Sequence, residues 1–285
     1  LNSIHQGNSK LCGIFGCVLV SGDASPVIFN GLRRLEYRGY DSVGVATIHK
    51  GKIKVKKDVG KIGEVHERLN LTDLPGRVGI GHTRWATHGA PSMVNSHPHA
   101  DCKDEVVVVH NGIIENFAEL RKELESRGHI FRSRTDTEVV PHLIEEFLSQ
   151  RLSFEESVRR ALRRVRGSYA IACLYTKSPD RIVCARKESP LVLGLGQAAT
   201  YCASDIPAFL PLTNRVVLVE EGEIAVLGPE GVSISTVSTG EPRIRASLNL
   251  GWTAEMAEKG GHQHFMHKEI HEQPVSMRNL SLIHI

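Results

Sequence analysis

Apolar positions along this chain follow two periods, and the change from one to the other divides it. Leu11–Val20, LCGIFGCVLV, is a continuous apolar run of strand length. Pro26–Leu35 then places Val27, Ile28, Gly31, Leu32 and Leu35 on one helical face. Val43–His49 and Lys52–Val59 alternate as strands around Lys50-Gly51, a hairpin turn. Lys61–Asn70 predicts a helix, and Val78–Gly81 a strand leading into HTRWATHG. Residues 90–104 read as a long loop, and Val106–Val109 as a β-branched strand that ends in His110-Asn111-Gly112. Two helices follow, each with the spacing of a capping box, at Asn116-x-x-Glu119 and Thr135-x-x-Glu138; Ser153-x-x-Glu156 opens a third. From Tyr169 strands dominate, at Tyr169–Tyr175, Ile182–Ala185, Leu191–Leu193, Thr200–Ala203, Val216–Val219, Glu223–Leu227 and Val232–Thr236.

Strands at both ends with helices clustered between do not give the regular alternation of a doubly wound sheet. The order predicts an α+β fold, two antiparallel sheets covered by helices. Past Arg243 the periodicity weakens. The expected division is a removable or non-native leader at 1–11, one domain at 12–245, and at 246–285 a linker with the start of a further domain.

Composition narrows this reading. With 285 residues the chain can bury a full core. Its 35 Lys and Arg against 32 Asp and Glu leave a net charge of +3, which calls for neither nucleic acid nor a charged membrane surface. The densest basic run, Arg159–Gly167, sits behind Glu155 and Glu156 at helical spacing and predicts a solvated, ion-paired face. The six cysteines are dispersed without CxxC spacing, which fits a reduced, cytoplasmic protein better than a disulfide framework or a zinc site. No apolar run reaches the ~18 residues of a membrane helix.

Candidate chemistry begins at Cys12. A cysteine opening a strand is either an ordinary buried thiol or a nucleophile, and if its own α-nitrogen is a free amine, that amine can serve as its base. Arg84 offers a planar fork for a carboxylate, or pairs with a structural acid. Asn111-Gly112 supplies the parts of an oxyanion hole, or forms a hairpin turn. Asp136 can bind an ammonium group, or interact with a helix dipole. Gly194–Ala199 matches a dinucleotide fingerprint but runs into a strand instead of a helix. His262, His264, His267 and His271 cluster without a cysteine or carboxylate framework, so no metal is expected.

Six motifs stand in one order: CGIFG at 12–16, LRRLEYRGYDS at 32–42, HTRWATHG at 82–89, NSHPH at 95–99, VVVVHNGIIEN at 106–116 and TDTE at 135–138. Together they closely resemble the glutaminase half of the glutamine:fructose-6-phosphate amidotransferases, and HFMHKEIHEQP at 264–274 is similar to that family's bridge into its sugar-isomerase half. The resemblance implies a four-layer αββα sandwich of the N-terminal nucleophile hydrolase type. It implies Cys12 as nucleophile with its α-amine as base, and Asn111 with Gly112 as oxyanion donors. Arg84 and Asp136 would hold the α-carboxylate and α-amino group of L-glutamine. Arg38 would lie beside the nucleophile, Trp85 would move with the closing loop, and Thr87 and His88 would line it. Glutamine would be hydrolysed through a cysteinyl thioester without a cofactor. Ammonia would pass to the isomerase half of a full-length homo-oligomer, where fructose-6-phosphate becomes glucosamine-6-phosphate. Since Cys12 is preceded by eleven residues, a catalytically silent glutamine-binding module is the alternative.

Overall fold

The computed structural model describes residues 12–85, 89–251 and 265–282. Two antiparallel sheets lie face to face. One has eight strands, and its centre is β1 (Gly13–Leu19), flanked by β4 (Val78–Arg84) and β10 (Ala199–Ala203). Outward from β4 come β2 (Ser42–His49) and β3 (Lys52–Val59); outward from β10 come β9 (Val192–Leu195), β11 (Arg215–Leu218) and β15 (Leu248–Asn249). The other has seven, ordered β14 (Pro242–Arg243), β13 (Gly231–Thr236), β12 (Glu223–Gly228), β8 (Ile182–Lys187), β7 (Gly167–Tyr175), β6 (Val106–Ile114) and β5 (His99–Ala100).

Three apolar clusters mark the three interfaces of four layers. Ile14, Val18 and Ile80 of the first sheet meet Val107, Val109, Ala170 and Ala172 of the second. Phe15 and Cys17, on the opposite face of β1, pack under α1 (Ala24–Leu35) and α2 (Ile62–Leu69). Val106 and Val108 pack under α3 (Phe117–Ser126), α4 (Val139–Ser149) and α5 (Phe154–Arg164). The valine run is apolar on both faces because its strand is covered on both, by a sheet and by helices. Gly31 lets α1 sit against the Phe15 ring, where an added Cβ would come within 2.4 Å.

Several boundaries depart from the pattern. β6 continues through Asn111 and Gly112 to Ile114 instead of ending before them: both pair with β7, opposite Ala170 and Tyr169, and the Asn111 amide finds partners inside the sandwich. The hairpin alternative at Asn111-Gly112 is therefore excluded. Arg84 is the last residue of β4, not a loop residue. Only one of the three predicted capping boxes places its N-cap side chain on the helix: Ser153 accepts from the Glu156 N–H at 3.3 Å. Asn116 instead binds the Arg164 carbonyl and Arg166 N–H across to α5, and α4 starts only after Glu138, beyond Thr135. Arg159 is buried, not solvated; besides pairing with Glu155 and Glu156 it donates to Ser235 Oγ at 2.9 Å. β15 pairs Leu248 with Val216, so the first sheet takes in residues beyond 245. The Gly194–Ala199 segment joins two paired strands and leads into no helix. A last helix, α6 (Phe265–Leu282), contains Pro274. No helix among the described residues is long and apolar enough to cross a membrane.

Candidate active site

The ends of β1, β4 and β6 meet at one edge of the sandwich, and their register brings the chemistry together. A narrow cleft there is lined by Cys12, Arg84, Trp85, His97, His110, Gly112, Thr135, Asp136 and Thr137. It encloses ≈ 270 Å³ counting its open mouth.

Cys12 stands immediately before β1, and its backbone is pinned. The Cys12 carbonyl accepts from Asn111 Nδ2 at 2.8 Å and from Arg38 Nε at 3.2 Å. Its sulfur accepts from the Trp85 N–H at 3.1 Å and stands 3.5 Å from the Trp85 carbonyl. Burial pushes the Cys12 thiol up, and the Trp85 N–H and the Arg84 charge oppose that shift. A thiol so placed needs a base to become a nucleophile at neutral pH. Neither cleft histidine supplies one: His97 and His110 both turn a nitrogen to Thr137 Oγ1, at 3.0 and 2.8 Å, and burial lowers both.

Asn111 joins the two sheets. His82 Nε2 lies 3.0 Å from both its Oδ1 and the His110 carbonyl; a carbonyl can only accept, so in this ring, which burial holds neutral with a pKa near 3, the proton sits on Nε2 and donates, fixing which end of the amide points at Cys12. The amide nitrogen then donates to Cys12 O and, at 2.8 Å, to Ser204 Oγ. Gly112 has φ +130°, and a Cβ there would lie 2.2 Å from the Ser168 carbonyl, so only glycine lets β6 pass this point.

Arg84 and Asp136 present opposite charges to the same cleft. Arg84 is 3% exposed and anchored by Nη2 to the Gly89 carbonyl at 3.0 Å. Asp136 accepts from the Ile114 N–H through one oxygen, at 2.8 Å. The loop before α4 that carries it rests on buried histidines: His97 and His110 bind Thr137, and His99 binds Thr135 Oγ1 at 3.1 Å. Arg38 is fixed from outside by Asp205 at 3.4 Å, and the Trp85 ring meets Tyr40 edge-on at 5.0 Å between centroids. Gly39 lies so close to Arg84 and Trp85 that a Cβ would come within 2.7 Å of their backbone.

The structure thus gathers Cys12, Arg38, Arg84, Trp85, Asn111, Gly112 and Asp136, while Thr87 and His88 lie outside the described residues. Sequence reasoning missed Ser204 and Asp205, which follow an ordinary strand and carry no motif. It also gave no role to His82, His97, His99 and His110, although all four stand inside quoted motifs.

Residues 82–211 match the glutamine amidotransferase domain family. The glutamine–fructose-6-phosphate aminotransferase (isomerizing) of Pyrococcus horikoshii is 52% identical over 269 residues, covering 94% of this chain and 45% of that protein. The enzyme of the same name from Methanothermobacter thermautotrophicus is 53% identical over 270 residues, with the same coverage. This chain therefore spans less than half the length of these relatives. Among solved structures, the glutamine phosphoribosylpyrophosphate amidotransferase from B. subtilis, complexed with ADP and GMP, aligns with a TM-score of 0.69 at 28% identity, over 80% of this chain and 50% of that one. The chain carries a glutamine amidotransferase domain of the N-terminal nucleophile fold, homologous to the N-terminal half of the glutamine–fructose-6-phosphate aminotransferases.

Proposed function

We propose that Cys12 attacks the side-chain amide carbon of L-glutamine, and that the product ammonia serves the conversion of fructose-6-phosphate to glucosamine-6-phosphate in a longer, oligomeric protein. The observation that carries the reading is the cleft itself, where Cys12 faces a buried guanidinium, Arg84, and a carboxylate, Asp136. A free α-amino acid carries the complementary pair of charges. Arg84 binds the α-carboxylate and Asp136 the α-ammonium, which directs the side chain of glutamine toward the sulfur.

The chemistry follows from the pinned backbone. The α-amine of Cys12, free when Cys12 is the first residue, takes the thiol proton, and the thiolate forms a C–S bond to the amide carbon. Charge moves to the amide oxygen, where the Gly112 N–H and Asn111 Nδ2 meet it. Both Asn111 hydrogens already have acceptors, so the oxyanion must draw one from the Cys12 carbonyl or share it. The carbonyl retains Arg38 Nε while this happens. The ammonium formed on Cys12 returns its proton to the leaving nitrogen, ammonia departs, and water cleaves the thioester to give glutamate. Trp85 lies beside the sulfur, its N–H 3.1 Å from Cys12 Sγ. No cofactor enters any step.

Production of glutamate and ammonia in equal amounts from glutamine, by protein beginning at Cys12, tests this. The same rate from asparagine, or from glutamine lacking its α-amino group, would contradict the assigned orientation.

A further inference from the structure

A second cluster of reactive side chains lies away from the cleft, and the glutamine chemistry makes no use of it. Cys102 follows β5, His129 follows α3, and His142 and Glu145 stand one turn apart on α4, where the i,i+3 spacing puts them on one face. One atom from each converges: all four donor atoms lie within 4.8 Å of one another. Cys102 Sγ is 3.5 Å from His129 Nδ1 and 3.4 Å from His142 Nδ1. The two Nδ1 atoms are 3.2 Å apart, and they stand 3.2 and 3.7 Å from Glu145 Oε2.

These separations correspond to five of the six edges of a coordination tetrahedron. With Zn–S near 2.3 Å and Zn–N or Zn–O near 2.1 Å, tetrahedral angles require S···N of about 3.6 Å and N···N or N···O of about 3.4 Å. Each of the five separations falls within a few tenths of an ångström of its expected value.

One ring is also held from behind: His129 Nε2 is 3.1 Å from Glu146 Oε1. A carboxylate on Nε2 is the usual support of a metal-bound histidine that ligates through Nδ1. His142 Nε2 is buried without a hydrogen-bond partner, and Glu138 Oε1 stands 3.9 Å from it. Two Nδ1 atoms, a sulfur and a carboxylate oxygen thus face one another. A single shared proton can bridge one pair of these atoms but not all six pairs. The Ile130 N–H points at Cys102 Sγ from 3.5 Å and the Cys102 N–H at Glu145 Oε2 from 3.2 Å, donors suited to a thiolate and a carboxylate. Lys103 holds the other Glu145 oxygen at 3.3 Å.

We propose that Cys102, His129, His142 and Glu145 bind a structural Zn²⁺. Binding releases the thiol proton, so the ion meets one thiolate, one carboxylate and two neutral imidazoles, and the site is neutral overall. Four protein ligands leave no open position, which makes the site a brace and not a second catalytic centre. It ties the loop after β5 and the end of α3 to α4, and the segment from His129 to His142 contains Asp136. The ion thereby holds the Asp136 loop against the sheet that carries Asn111. Sequence spacing hides this set because its members lie in three separate segments.

The test uses the chain in a Cys12→Ala background, where Cys102 is the remaining thiol that is not buried. Protein from zinc-supplemented cells should retain about one zinc per chain through gel filtration. After chelation, Co²⁺ should bind with a thiolate charge-transfer band, and Zn²⁺ should raise the melting temperature and displace the Co²⁺. Cys102→Ala should abolish the band and weaken binding at least 100-fold, whereas His267→Ala with His271→Ala, an exposed pair on α6, should change neither. A folded chain that takes up no Zn²⁺ at micromolar concentration overturns the proposal. So does Co²⁺ binding without a thiolate band, a readout that stands even if Cys102→Ala fails to fold.

Discussion

The side-chain amide of Asn111 donates a 2.8 Å hydrogen bond to the backbone carbonyl of Cys12, 99 residues earlier in the chain. The bond crosses from one sheet to the other, since Asn111 belongs to β6 and Cys12 precedes β1. The nucleophile is thus positioned by the packing of two sheets and not by its own strand alone. His82 and Ser204 hold the same amide from both sides, at 3.0 and 2.8 Å, so its orientation is set before any substrate arrives.

Asn111→Ala should lower kcat by about two to three orders of magnitude, the usual effect of losing one oxyanion donor, with KM changed far less. Steady-state kinetics checks this. A steep rise in KM with kcat maintained would place Asn111 in ground-state binding instead.

Arg84→Lys should raise KM for glutamine at least tenfold, because a point charge cannot replace a two-pronged contact with the α-carboxylate. A glutamine analogue lacking that carboxylate should be a poor substrate for the unmutated chain and nearly indifferent to the substitution. Equal losses on both substrates would make Arg84 structural.

The buried histidines predict acid sensitivity. Burial lowers His82 to about 3, and lowers His97, His99 and His110 as well. In the unfolded chain they bind protons near pH 6.5. Below that value the unfolded state carries more protons than the native one, so stability falls as pH drops from about 6.5 toward 3 and is complete above it. One group acts in the opposite sense over part of this window: burial raises Asp101 to about 6. With a net excess of about two protons, the melting temperature should fall by about 5–10 °C between pH 7.5 and 5.5. A flat melting curve over that range would show that these rings are not held neutral.

Much of this was legible in sequence because both strand faces are constrained. Val106–Val109 reads as an apolar β-branched strand, and it is one, covered on both faces. Cys12, Arg84, Asn111, Gly112 and Asp136 were visible as residues of the right chemical type, each with an ordinary alternative beside it. What periodicity could not supply was the point where β6 ends, since a polar Asn-Gly pair reads as a turn until the partners that satisfy it are known. Those partners, Cys12 and Ser204, lie 99 and 93 residues away. The boxes at Asn116 and Thr135 failed for a related reason: α5 captures the Asn116 side chain, and Thr135 is drawn into the layer with His99 and Ser133. Ser204 and the Cys102 cluster belong to no local pattern, because their function arises from convergence in space.

The central claim is that Cys12 is the nucleophile and its own amine the base. The most direct measurement is mass spectrometry of the protein after reaction with an electrophilic glutamine analogue, alongside its rate of glutamate release. Protein beginning at Cys12 should gain one adduct, mapped to Cys12, and lose its activity in step; Cys12→Ala should gain none and be inactive. Protein that retains residues 1–11 should release glutamate at least 100-fold more slowly, because an amide nitrogen cannot accept the thiol proton. Full activity with residues 1–11 in place, or glutamate release by Cys12→Ala, would contradict the account.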